Sequence, residues 1–249
     1  MKCTSDGPES GSPEDRDVPL TGLLTAETLA GYGSVLIAGP AMSGKQRLGL
    51  DLLADAYVAG GHPLCVSTTD GAGTVRSVFA DYCPPDRAGD LIVVDCVADR
   101  QGREADEMTD SVATPGDLTG IAMGISRAYE WLSAERTRGS RLLIDNLSTV
   151  VMYAGFEATV RFLHATQAKL DRTGGITIQT MNTDALDTAD RQQVIELCDV
   201  VVETRIGGQG GTEFRIGGVD GVDREWWRYG RPDPERRWRG RDGTGGASP

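Results

Sequence analysis

The chain has 249 residues, 39% of them hydrophobic and 25% charged, enough for one α/β domain with extended ends or two small domains, with a core that folds without staples. No run of 18 apolar residues occurs and residues 1–17 hold no apolar stretch, so neither a membrane span nor a secretory leader is expected, and a soluble, cytoplasmic protein is. The net charge of −12 argues against a nucleic acid as the main partner, because an acidic body repels phosphates.

Residues 1–17 are Gly, Ser, Pro and acids, the composition of a disordered segment. From residue 18 to 228, short apolar runs alternate with segments of helical period. Strands are predicted at 34–38, 63–68, 91–97, 141–145, 175–180 and 200–204. Helices are predicted between them at 45–59, 74–81, 115–134, 156–171 and 191–197, with Thr114 as cap and Pro115 in the first turn of the third. Apolar strands separated by helices specify a single α/β domain, a mostly parallel sheet covered by helices on both faces. The stretch 212–221 reads as a short antiparallel addition, with Trp226 and Trp227 covering the last strand. Residues 229–249 are rich in Arg, Gly and Pro and read as a flexible tail. Between Arg224 and Arg241 seven arginines meet three acids, a patch expected to be solvated or folded onto the acidic body. Five cysteines form no C-x-x-C pair and read as reduced, structural thiols. His62 and His164 have no partner at a metal-ligand spacing.

One segment carries chemistry. Directly after the first strong strand stand Gly39, Pro40, Ala41, Met42, Ser43, Gly44, Lys45 and Gln46, a G-x-x-x-x-G-K loop opening a helix. Glycines let backbone N–H groups wrap a phosphate, the helix N-terminus adds its dipole, and the lysine reaches the β/γ oxygens. The chain has only three lysines, Lys2, Lys45 and Lys169, and one sits where such a loop requires it. The Ser or Thr that normally follows and offers its hydroxyl to Mg²⁺ is replaced by Gln46, whose longer side chain crowds an octahedral ion. ATP binding through Gly44 and Lys45 is expected; a Mg²⁺ contact through Gln46 is in doubt. A metal-facing carboxylate at the end of a neighbouring strand would be Asp95 or Asp145, and spacing alone does not choose.

Five ordered segments, 34–53, 63–79, 114–125, 141–153 and 161–187, together resemble the haloarchaeal ATPase-like proteins of the KaiC/GvpD group in the RecA superfamily, over about residues 18–228. The resemblance implies a RecA-like P-loop domain and a possible homo-oligomer. It implies that the acid of the Ile-Asp-x-Leu-Ser segment, Asp145, is the Walker B residue. KaiC-type ATPases place a Glu pair after the strand that follows the P-loop helix; here Asp70 is the only acid available, one methylene short. They also carry basic residues on the late hairpin that reach a neighbouring subunit's phosphates, where this chain offers only Arg215.

Three departures, at Gln46, Asp70 and the hairpin, point to a nucleotide-binding protein with a degenerate catalytic site, a regulatory or signalling module with a protein partner that the sequence does not identify. The alternatives are an active oligomeric P-loop ATPase and a recombinase-like DNA-binding paralogue. The second of these fits worst, since residues 18–223 carry 16 basic and 28 acidic side chains. Many carboxylates with 22 Arg and 3 Lys suit a surface screened by concentrated salt, although a GC-rich genome also favours Arg. On the salt-adapted reading, the melting temperature rises between low and multimolar KCl; an unchanged midpoint removes it.

Overall fold

The structure, a computed structural model, describes residues 17–84, 86–97, 108–132 and 137–233. Segment 1–16 and most of the predicted tail, 234–249, lie outside the described residues. Ten strands form one sheet: β1 (Asp17–Val18), β2 (Ser34–Gly39), β3 (Pro63–Ser67), β4 (Ile92–Asp95), β5 (Thr109–Ser111), β6 (Arg141–Asp145), β7 (Ile176–Asn182), β8 (Val200–Ile206), β9 (Thr212–Gly217) and β10 (Trp227–Tyr229). Their order is β1-β10-β9-β8-β2-β7-β6-β3-β4-β5. The strands from β8 to β5 pair in parallel, while β9 is antiparallel to both β8 and β10.

The seven helices described are α1 (Leu20–Leu23), α2 (Lys45–Ala54), α3 (Ala72–Phe79), α4 (Leu118–Trp131), α5 (Leu147–Ala154), α6 (Phe156–Asp171) and α7 (Thr188–Glu196). Strand alternation divides the apolar residues into two cores. Val35, Ile37, Cys65, Val93, Leu143 and Ile178 face α1, α2 and α3. Leu36, Ala38, Val66, Val94, Ile144 and Met181 face α4 to α7. Burial of both faces explains why these strands are apolar at nearly every position. The result is the expected three-layer α/β architecture, a mostly parallel sheet between helices with antiparallel strands at one side. No helix among the described residues is long and apolar enough to cross a membrane.

Some expectations shift. The cap of α4 is Asp117, whose carboxylate accepts from the Gly120 N–H at 2.8 Å, and the helix begins at Leu118. Thr114 and Pro115 instead belong to the turn before it. Asp17 pairs into β1 and Tyr229 ends β10, so the sheet extends one residue past each expected domain boundary. Trp227 packs on the first core, and Trp226 lies under the guanidinium groups of Arg205 and Arg215, at 4.0 and 4.9 Å from its ring centroid. His62 is buried and its Nε2–H donates to the Asp90 carbonyl at 2.6 Å. Burial holds the Cys83, Cys96 and Cys198 thiols up at about 12, so they stay protonated.

At the amino-terminal end of the sheet, Arg141 is 1% exposed; it donates to Asp55 at 2.7 Å and to the Leu52 carbonyl at 2.9 Å. It ties β6 to the end of α2. Arg141→Met leaves the Asp55 carboxylate buried beside an apolar chain, and we expect a loss of about 3–5 kcal/mol. Adding Asp55→Leu should recover most of that loss, which chemical denaturation of the wild type and the two variants measures.

Candidate functional site

Parallel strands buried on both faces deliver their polar residues to the carboxyl end of the sheet. There β2 ends at Gly39, level with Asn182 of β7. Ser67 stands level with Asp145 on one side and Asp95 on the other. The loop 40–44 rises from β2 into this edge and turns back into α2.

The loop is held from beneath. Ser43 is fully buried, and its hydroxyl bonds the Pro40 carbonyl at 2.9 Å and the Thr204 hydroxyl of β8 at 2.6 Å. Gly39 has no room for a side chain, since a Cβ there would lie 2.6 Å from the Thr204 carbonyl. Gly44 adopts φ 87°, the left-handed region open to glycine, and a Cβ would also meet Thr212. No side chain caps the N-terminus of α2. Its first amides are therefore free to meet an anion, and the dipole favours one.

Lys45 opens α2 with its ammonium turned back on the Pro40 carbonyl, within 3.4 Å of the Ser43 hydroxyl. Burial lowers its pKa, while Asp145 and Asp184 pull it back up. A lysine already stripped of water binds an arriving phosphate with little further desolvation.

Gln46 sits between two carboxylates. Its Nε2 lies 3.0 Å from Asp70 Oδ2 and 2.9 Å from Asp145 Oδ2. Ionised carboxylates only accept hydrogen bonds, so the amide end facing both is the NH₂ donor. The expected Gln46 metal contact through its oxygen is not what this geometry presents. Thr180 of β7 donates to the other Asp145 oxygen at 2.7 Å. Asp145 is 6% exposed, and burial pushes its pKa above the usual carboxylate range although both hydrogen bonds oppose the rise.

Of the two candidate acids, Asp145 reaches this site and Asp95 does not. Asp95 accepts from the Ala72 N–H at 2.7 Å and the Val97 N–H at 2.9 Å, anchoring the start of α3. Arg215 also stands away from it, paired with Glu203 at 2.7 Å. The cleft, about 640 Å³, brings together Lys45, Gln46, Asp70 and Asp145. It also holds residues that sequence reasoning missed, among them Arg47, Asn146, Thr180, Asn182 and Thr212. Thr180 and Asn182 close a predicted strand next to the P-loop strand, a positional signal that needed the strand order to be read.

Among known proteins, a family of unknown function, DUF7504, matches residues 33–204. No curated protein matches the chain. Among solved structures it resembles the uncharacterized protein PH0321 from Pyrococcus horikoshii, determined in complex with an unknown peptide, with a TM-score of 0.56 at 14% identity over 80% of this chain and 88% of that one. It also resembles the flagellar accessory protein FlaH from Methanocaldococcus jannaschii, with a TM-score of 0.55 at 18% identity over 74% and 77% of the two chains. These similarities establish the fold; they do not reach the KaiC/GvpD grouping.

Because the native pKa of Asp145 is raised, its ionised form is penalised on folding. The stabilising contribution of the protonated acid is present below the ordinary carboxylate range and is lost as pH rises through the native pKa. Asp145→Asn should therefore stabilise the protein at neutral pH. The melting temperature rises at neutral pH, and the gain disappears in acid. Thermal scans of both proteins from pH 4 to pH 8 check the sign.

Proposed function

We propose that this chain, which belongs to the DUF7504 family of unknown function, binds an adenine nucleotide through residues 39–46 and acts as a regulatory or signalling module instead of turning ATP over. The observation that carries this reading is the pairing of an open phosphate cradle with a blocked metal position. The uncapped start of α2 and the desolvated Lys45 suit a phosphate. Mg²⁺, which the fold implies, does not fit the residues as they stand. No hydroxyl follows Lys45, and the Gln46 NH₂ already joins Asp70 to Asp145.

Hydrolysis needs a carboxylate able to polarise water. Asp70 would have to release Gln46, and Gln46 would have to turn from Asp145, before the ATPase alternative applied. The DNA-binding alternative gains nothing from the late strands, where Arg205 pairs with Glu213 and Arg215 with Glu203. The KaiC/GvpD grouping belongs to this proposal and is supported by the Ile-Asp-x-Leu-Ser segment, whose Asp145 shares a cleft with Lys45.

Titration calorimetry in molar KCl tests the reading. Wild type binds adenine nucleotide, and Lys45→Ala weakens binding roughly 100-fold or more through loss of the charge-assisted contact. ATP turnover stays well below about 1 per second. Equal affinities in the two proteins, or turnover at that ordinary pace, would refute it.

A further inference from the structure

We infer that Gln46 makes this loop a metal-independent site that takes a nucleoside diphosphate in preference to the triphosphate. The inference rests on the nucleotide-binding reading above and goes beyond it in naming the ligand class and the device that selects it.

A divalent ion at a P-loop neutralises charge between the nucleotide and the neighbouring carboxylates. Here an uncharged amide occupies the bridging position. Both Gln46 N–H groups are spent, one on Asp70 at 3.0 Å and one on Asp145 at 2.9 Å. Thr180 takes the second oxygen of Asp145. The pair of carboxylates is thus held together without a cation, at the cost of leaving its negative charge in place. An ion entering between them must break both amide bonds and expel a side chain two carbons longer than serine. That is a poor exchange for an ion that demands near-ideal octahedral geometry and gives up water reluctantly.

The consequence falls on the terminal phosphate. The loop amides address the β-phosphate and Lys45 the β/γ oxygens, and those parts are intact. A third phosphate must enter the rest of the cleft, where Asp70 and Asp145 stand beside a further cation, Arg47. Without a metal, two carboxylates meet a doubly charged phosphate in a partly buried cleft, where like charges repel more strongly than in water. Asp184 adds to the acidity around Lys45. The diphosphate avoids this encounter. A protein built in this way reports diphosphate level, and magnesium does not gate it.

Calorimetry of the full chain with ADP and with ATP, each in excess MgCl₂ and in excess EDTA, decides the matter. We expect the ADP dissociation constant to move less than about twofold with Mg²⁺. In EDTA, ATP should bind about tenfold more weakly than ADP or worse. Gln46→Thr restores a hydroxyl and frees both carboxylates, so Mg²⁺ should then tighten ATP binding about tenfold. Electron paramagnetic resonance of Mn²⁺ provides a second readout: nucleotide-dependent Mn²⁺ capture by Gln46→Thr and none by wild type. Tightening of ATP by Mg²⁺ in the wild type, equal ADP and ATP affinities in EDTA, or Mn²⁺ capture by the wild type would each overturn the inference while leaving nucleotide binding standing. Absence of any nucleotide binding to the wild type overturns both.

Discussion

A parallel sheet buried on both faces has only its strand ends available for polar chemistry, and everything distinctive about this protein gathers at one of them. The pairing of β2 with β7 and β8 is the constraint on which the site depends. It sets Gly39 beside Asn182 and brings Thr204 under Ser43. With β7 next to β6, Thr180 stands where its hydroxyl reaches Asp145. The loop itself is short, but its shape is imposed by neighbours from β7, β8 and the turn before β9. The antiparallel strands are thus more than an appendage, since Thr212 packs against the backbone of Gly44.

Two buried acids at opposite ends of the same sheet are handled in opposite ways. At the amino end, Asp55 is matched by Arg141, a cation fixed by a second bond to the Leu52 carbonyl. Charge compensation of this kind, buried at that end of the sheet, suits a structural role. At the carboxyl end, Asp145 is given hydrogen bonds from neutral donors, and its pKa stays raised. Neutral donors satisfy lone pairs without cancelling charge, so the site keeps a negative potential beside the one lysine of the loop. A cleft that holds both signs unneutralised discriminates among anions by where their charge falls.

The late strands show the same economy with arginine. Arg205 and Arg215 each pair with an acid on the adjacent strand, and both guanidinium groups lie over the ring of Trp226. Guanidinium planes serve both purposes at once, hydrogen bonding in plane and packing on an aromatic face. Within this chain both guanidinium groups are matched by acids inside the ribbon.

The amino-acid sequence by itself determined the main strands, helices α2, α3, α4, α6 and α7 and the phosphate loop, because each is written in contiguous residues. A strand buried on both faces is an apolar run, and a phosphate loop needs its glycines and lysine at fixed local spacing. Elements whose residues prefer another conformation were not legible. Helix α5 contains Thr149, Val150 and Val151, β-branched residues that favour strands, and it is helical because Leu147 and Val150 are buried in the second core. Strand β5 is Thr-Asp-Ser, with no apolar run to mark it, and exists because β4 offers a free edge. At the site, the choice of Asp145 over Asp95 was open in spacing alone and was reached through resemblance; strand order shows its cause, since Asp95 is consumed in holding α3. The amide bridge lay beyond any local pattern. It joins Gln46 to residues 24 and 99 positions away, and only the folded chain brings those carboxylates within reach of one side chain.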